Sequence, residues 1–321
     1  MPLAAVIAPG SLTVAPVHTV QTVPLQVPQP AFSDLANFGY IDIHQTLVTA
    51  PRMYRLAYQV ASSGQPVPLA STFANETYHI SFDGPAIKCA SASEHIIANL
   101  TEAFGISQGL SMRGSDLRFF SWIPDKDMNY PTDLNSVLTL DYKSRDVSRI
   151  FVLTNTGFWN KTRTDIRKHY PPRQVNVTEC SLYNASYSVH YTFQYPNQTR
   201  RVSIDEWRNP VRLYDIVNPS ETRSPQGGEA AHDTPDGSVV NPMVPFSAKD
   251  AQVSSYGTVM QAFSTLLIGS SSNDRYNGDT TDHTSWKIID IDWSDGSVVQ
   301  RGLEQLFQNI TLSVLSDQGL M

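Results

Sequence analysis

One stretch limits the choice of fold more than any other. In residues 183–195 every odd position is apolar or aromatic and every even position is polar. Tyr183, Ala185, Tyr187, Val189, Tyr191, Phe193 and Tyr195 alternate with Asn184, Ser186, Ser188, His190, Thr192 and Gln194. Successive side chains on a strand point to opposite faces, so this run reads as a long strand with one face in a core and one in water. The phase assigns the tyrosines to the core and Asn184 to solvent.

The flanking segments supply partners for that strand. Residues 77–82 alternate as a short strand leading to Gly84-Pro85 and Cys89, and residues 117–122 and 149–154 read as further strands. A hairpin over 183–205 turns through Pro196, Asn197 and Gln198. Pro51 suits the first turn of a helix over 51–62 with Met53, Leu56, Ala57 and Val60 on one face. Ser91 with Glu94 forms a capping-box pattern for a second helix, ended by Gly105. Two helices close the chain, one with a stripe of Val253, Tyr256, Met260, Phe263 and Leu267, the other with Val299, Leu303, Leu306, Ile310 and Val314. The expected fold is α+β, an antiparallel, sandwich-like sheet with several packed helices and a proline-rich extended N-terminus. Residues 1–35 form an extended linker, with 11–17 able to pair as an edge strand. Residues 36–321 are expected to form a single α+β domain, interrupted by a long irregular loop at 208–248.

Composition narrows the setting. The chain is 40% hydrophobic but only 17% charged, with a net charge of −7. It has no basic cluster of the kind that phosphate backbones require, which argues against a nucleic-acid partner. Seven Asn-x-Ser/Thr sequons occur, at Asn75, Asn99, Asn160, Asn176, Asn184, Asn197 and Asn309. They point to glycosylation in a eukaryotic secretory pathway. The two cysteines, Cys89 and Cys180, favour one disulfide closing a loop of about 90 residues, with two free thiols as the alternative. Residues 1–33 carry no Asp, Glu, Lys or Arg, and their prolines interrupt any signal-peptide core. No apolar run reaches the roughly 18–20 residues that a membrane-spanning helix needs. A sequon-rich chain without an address is expected to be part of a longer one.

Several segments in order resemble a family of large fungal plasma-membrane proteins of unknown function. They are Gly10-Ser-Leu-Thr-Val-Ala-Pro16, Phe82-Asp-Gly-Pro-Ala-Ile-Lys-Cys89 and Glu179-Cys-Ser-Leu-Tyr-Asn-Ala-Ser-Tyr187. Ser255-Tyr-Gly-Thr-Val-Met-Gln-Ala-Phe263 and Leu303-Glu-Gln-Leu-Phe-Gln-Asn-Ile-Thr-Leu-Ser313 complete the set. The resemblance implies a large glycosylated ectodomain between membrane helices, so this chain would be membrane-tethered through segments outside it, on the extracellular side of the cell surface. Such proteins are sometimes labelled formylmethionine-deformylase-like. That chemistry needs a metal held by Cys and a His-Glu-x-x-His pair, and none of the eight histidines here is followed by Glu.

Motifs for catalysis are weak. Gly105-Ile-Ser-Gln-Gly109 matches the serine-hydrolase turn, but a helix precedes it where that chemistry needs a strand, and Gly105 reads better as a helix end. Asp290, Asp292 and Asp295 miss the calcium-loop register by one, and His283 is a lone imidazole. The plainer reading is a strand over 286–293, then a turn and the start of the last helix, where Asp295 suits the dipole. Among 30 acids no pair stands out for glycoside hydrolysis. The expectation is therefore a non-catalytic, glycosylated extracellular domain with a structural or interaction role, needing no cofactor or metal. A cell-wall glycan or a protein is its expected class of partner. The alternative is an extracellular hydrolase or carbohydrate-binding module acting on cell-wall glycans.

Overall fold

A computed structural model describes residues 22, 30–41, 47–71, 73–103, 115–125, 145–155, 175–213, 247–274, 280–282, 288–293 and 295–316. The architecture is α+β, with two antiparallel sheets and four α-helices among the described residues. The small sheet pairs β1 (Gly39–Ile41) with β2 (Leu47–Thr49). The large sheet has seven strands: β3 (Asn75–Ser91), β4 (Ser115–Trp122), β5 (Arg149–Asn155), β6 (Val175–Gln194), β7 (Asn197–Pro210), β8 (Gly269–Asp274) and β9 (Thr280–Asp282). Its main path runs β3-β6-β5-β4-β8-β9, and β7 pairs with β6 off that path. The helices are α1 (Pro51–Ser63), α2 (Glu94–Ala103), α3 (Ala248–Leu267) and α4 (Gly296–Ser313).

Strand β6 organises the sheet. It pairs with β3 from Asn75↔Gln194 to Ser91↔Thr178 without a register shift. Along its other edge it pairs with β5 at 175–181 and with β7 at 183–194. The alternation seen in the sequence extends further than expected, and its phase changes partway. The main core takes Cys180 and Leu182 from the first half, then Ala185, Tyr187, Val189, Tyr191 and Phe193 from the second. A slipped register would also exchange faces. Because the pairing with β3 is unbroken, the exchange comes instead from the twist of the ribbon. On β3 the residues at the crossover, Gly84, Pro85, Ala86 and Ile87, are all buried.

Both ends of the 183–195 run correct the simple phase reading. Tyr183 is only half-buried and Tyr195, in the two-residue turn before Asn197, is 85% exposed. Asn184 is not a solvent residue. It is half-buried, and its Oδ1 accepts a hydrogen bond from the Tyr256 hydroxyl at 3.1 Å.

The helix layer uses its sequence signals with some differences. Helix α1 starts at Pro51 and ends at Gly64, whose φ of 66° places it in the left-handed region. Helix α2 is capped by Ser93, whose Oγ accepts from the Ile96 amide, and not by Ser91, which is paired with Thr178 in the sheet. It covers a second cluster formed by Phe120, Trp122, Phe151, Leu153 and Val177. Helix α3 opens with a reciprocal capping box of Ser247 and Asp250. Its apolar stripe is too narrow a description, since Ser254, Ser255, Thr258, Gln261 and Ser264 are buried as well. Helix α4 buries its predicted stripe. Its final turn is fastened to the connection after α1, through Ser313 Oγ accepting from the Val67 amide and Asn309 Nδ2 donating to Gly64 O.

The expected strand over 286–293 does not form in its described part, 288–293. Ile289 and Trp293 are buried there, and Ile291 lies against Gly302 of α4. Side-chain packing against a helix replaces ladder pairing. Strand β7 runs to Pro210, so the expected loop begins later than 208. Residues 214–246 and, of the expected 1–35 linker, residues 1–21 with the edge strand and 23–29 lie outside the described residues. The described end of that linker is corrected, since Phe32 is buried in the core and stacks on Phe38.

Two close approaches test this packing. A Cβ on Gly39 would stand 2.2 Å from the Val48 carbonyl oxygen, a backbone atom that cannot yield without moving β2. A Cβ on Gly257 would meet Leu213 at 2.6 Å and Leu47 at 2.8 Å, both side-chain tips. Overpacking costs about 1–3 kcal/mol, and replacing a helical Gly by Ala returns about 1 kcal/mol. Gly39→Ala should therefore lower the melting temperature more than Gly257→Ala, as read by calorimetry on both variants.

Candidate functional site

The ribbon made by β3, β6 and β7 carries most of the sequence-predicted residues that can be placed. Cys89 and Cys180 are directly opposite each other and form a disulfide with Cα atoms 4.1 Å apart. The Cys89 amide, on the outer edge of β3, donates to Glu304 Oε1 at 2.7 Å. That orientation identifies the cysteines as a non-hydrogen-bonded pair, the arrangement in which opposed side chains come closest. Beyond the crossover the outward face is polar in matched rows. They read Asn75-Gln194-Asn197, Thr77-Thr192-Thr199, His79-His190-Arg201 and Ser81-Ser188-Ser203. Further along, Arg208 Nη1 meets Asp83 Oδ2 at 2.6 Å and its Nε meets Glu206 Oε2 at 3.2 Å. The Asp83 and Glu206 carboxylates raise the guanidinium pKa, although this group is exposed and its pairing is worth little in stability.

The sequons fall in very different places. Asn75 and Asn197 are exposed and lie in one row at the tip of the ribbon, each followed by a Thr in the next row. Asn99 is half-buried on α2, beside His95. Asn176 is half-buried in β6, and a Cβ placed on Gly296 would stand 3.2 Å from its amide nitrogen. Asn184 is held by Tyr256, as described above. Asn309 is 5% exposed, accepts from Gln305 and donates to Gly64 O. Its expected glycan is incompatible with this packing, because the nitrogen that would carry the sugar is turned into the helix layer. Asn160 lies outside the described residues.

Ser107 and His283 lie outside the described residues. Asp295 is the N-cap of α4, and its Oδ1 accepts from the Ser297 amide and hydroxyl, both at 2.8 Å. These hydrogen bonds hold its carboxyl below the usual carboxylate range. Among the described residues no three His, Cys, Asp or Glu side chains gather as metal ligands. The tyrosines are structural. Burial pushes the Tyr187, Tyr191 and Tyr256 hydroxyls up, and burial with the Glu76 charge pushes Tyr78 up to about 12.

Sequence reasoning missed the rows themselves, in particular the opposition of His79 and His190, because nothing local to either histidine reveals the β3–β6 register. The matching periods of 77–82 and 183–195 were the available signal. We found no match to this chain among protein-family models, curated proteins or solved structures.

Two measurements probe the ribbon. The Tyr187 hydroxyl donates to Pro85 O at 2.8 Å, and Thr311 Oγ1 donates to the same oxygen at 3.0 Å. Tyr187→Phe leaves that carbonyl satisfied and should cost only about 0.5–1.5 kcal/mol. The tyrosine contribution to stability is whole below pH about 10, where the unfolded phenol ionises, and is lost as pH rises toward the higher folded values. Denaturant titrations from about pH 8 to pH 11 should thus show stability falling above pH 10, less steeply in Tyr187→Phe. Separately, the cysteines are 91 residues apart, and replacing both by Ala should cost up to about 4–5 kcal/mol in the same assay.

Proposed function

We propose that this chain is the outward-facing, N-glycosylated portion of a fungal surface membrane protein. It is tethered through segments outside the chain and has a structural or interaction role without catalysis. The Cys89–Cys180 disulfide carries this reading. It joins opposed residues of the ladder with Cys180 fully buried, and structural disulfides of this kind persist in oxidising compartments. The exposed pair Asn75 and Asn197 supports the glycosylated part of the reading, since both can be reached at the ribbon tip. The fungal and membrane parts rest on the segment resemblance. The hydrolase alternative draws on Ser107, which lies outside the described residues, and gains no second feature among those described.

The test is expression of the chain, with a secretion leader, in a eukaryotic host. Endoglycosidase treatment should reduce its mass, Asn75→Gln and Asn197→Gln should each remove one glycan, and Asn309→Gln should remove none. Thiol alkylation should label neither cysteine before reduction. Secreted protein at its unglycosylated mass with both thiols labelled would overturn the reading.

A further inference from the structure

We propose that His79 and His190 form a two-imidazole chelate for a borderline divalent cation of the Zn²⁺, Ni²⁺ or Cu²⁺ class. This goes beyond the glycoprotein reading and does not depend on it. The two histidines are Cα partners in the β3–β6 ladder, and both are exposed on its polar face. Each stands ten residues from a half-cystine, along a register with no shift between them. Ten is even, so the histidines share the cysteines' face and their non-hydrogen-bonded pairing, which brings opposed side chains closest. Their rings do meet, with centroids 4.5 Å apart and planes tilted by 43°. The Ser188 hydroxyl lies 2.5 Å from His79 Nε2 and holds that ring over the neighbouring strand.

Neutral imidazoles are the preferred nitrogen ligands of these metals, at about 2.0–2.1 Å. Two ligand nitrogens then lie roughly 3–3.5 Å apart around one ion, which rings in contact can reach by rotating χ1 and χ2 alone. The backbone contribution is already in place, because the ladder, the disulfide and β7 together hold the two Cα positions. Binding orders only side chains. Two protein ligands leave the remaining positions to water or to an outside donor, so the site suits reversible capture rather than a structural metal. One neighbour works against it. Arg201 is paired with His190 in the same row, and its charge opposes a cation there. In the next row Ser203 donates to the Asp205 carboxylate.

The experiment is calorimetric titration of the full, untagged chain with ZnCl₂ and, separately, NiCl₂, with melting curves recorded alongside. One equivalent should bind and raise the melting temperature, since the metal engages the folded register only. His79→Ala and His190→Ala should each weaken binding at least about tenfold while melting like the parent without metal. Arg201→Gln should tighten binding, an effect that a purely structural ring contact would not produce. No heat from the parent chain beyond that of the double variant His79→Ala/His190→Ala would overturn the proposal. So would a single equivalent that persists in the double variant, which would place the metal elsewhere.

Discussion

The structure depends on one continuous ladder. Strands β3 and β6 pair from Asn75↔Gln194 to Ser91↔Thr178, and every other part of the large sheet is hung on β6. A side-chain period of two makes such a ladder intolerant of slippage, because a shift by one residue would turn Phe82, Tyr187 and Val189 out of the core together. The Cys89–Cys180 bond forbids that shift covalently near one end, and the short turn into β7 limits it at the other. The outer edge of β3 is partly closed by helix α4, where Glu304 takes the Cys89 amide. The edge formed by β7 is interrupted by two register shifts and lined with charges, which discourages pairing with another chain.

What could be read from the sequence follows the range of the forces involved. The period-2 run at 183–195 and the period-3.6 stripes of α1 and α4 are local records of a core, and they were legible. Pro51 marked the start of α1 because its chemistry is local. Strand β8 was not legible, since its Ser-rich sequence resembles a turn and it becomes a strand by pairing with β4. The segment 288–293 carries apolar residues at strand spacing, yet Ile291 and Trp293 satisfy that pattern by packing on Gly302 and Phe119. The buried hydroxyls of α3 also left no stripe to read, because that helix is enclosed on most sides.

The twist of the ribbon explains the errors of detail. Alternation in the sequence predicts which residues share a face, but not which face meets the core along a strand of 20 residues. Near Pro85 and Asn184 both faces are covered, so a polar residue on the outward phase becomes the acceptor for Tyr256. The sequon at Asn309 shows the same limit for a helix. Its three-residue pattern is indistinguishable from that of Asn75, yet it lies where α4 meets the connection after α1.

The twist also decides where an outside molecule can meet this ribbon. Its first half gives Val177 to one cluster and Cys180 and Leu182 to the other, so neither face is left free for a large partner. After the crossover, the core takes one face and leaves the other to water, with the rows of Asn, Thr, His and Ser held in register by the same ladder that builds the core. Polar groups fixed by backbone pairing lose little freedom when they bind, which is the physical condition for a rigid recognition surface. Glycans on Asn75 and Asn197 would stand at one end of that face, and the His79–His190 pair lies two rows further in. Any partner engaging the histidines would therefore approach across the Ser81-Ser188-Ser203 row rather than over the tip.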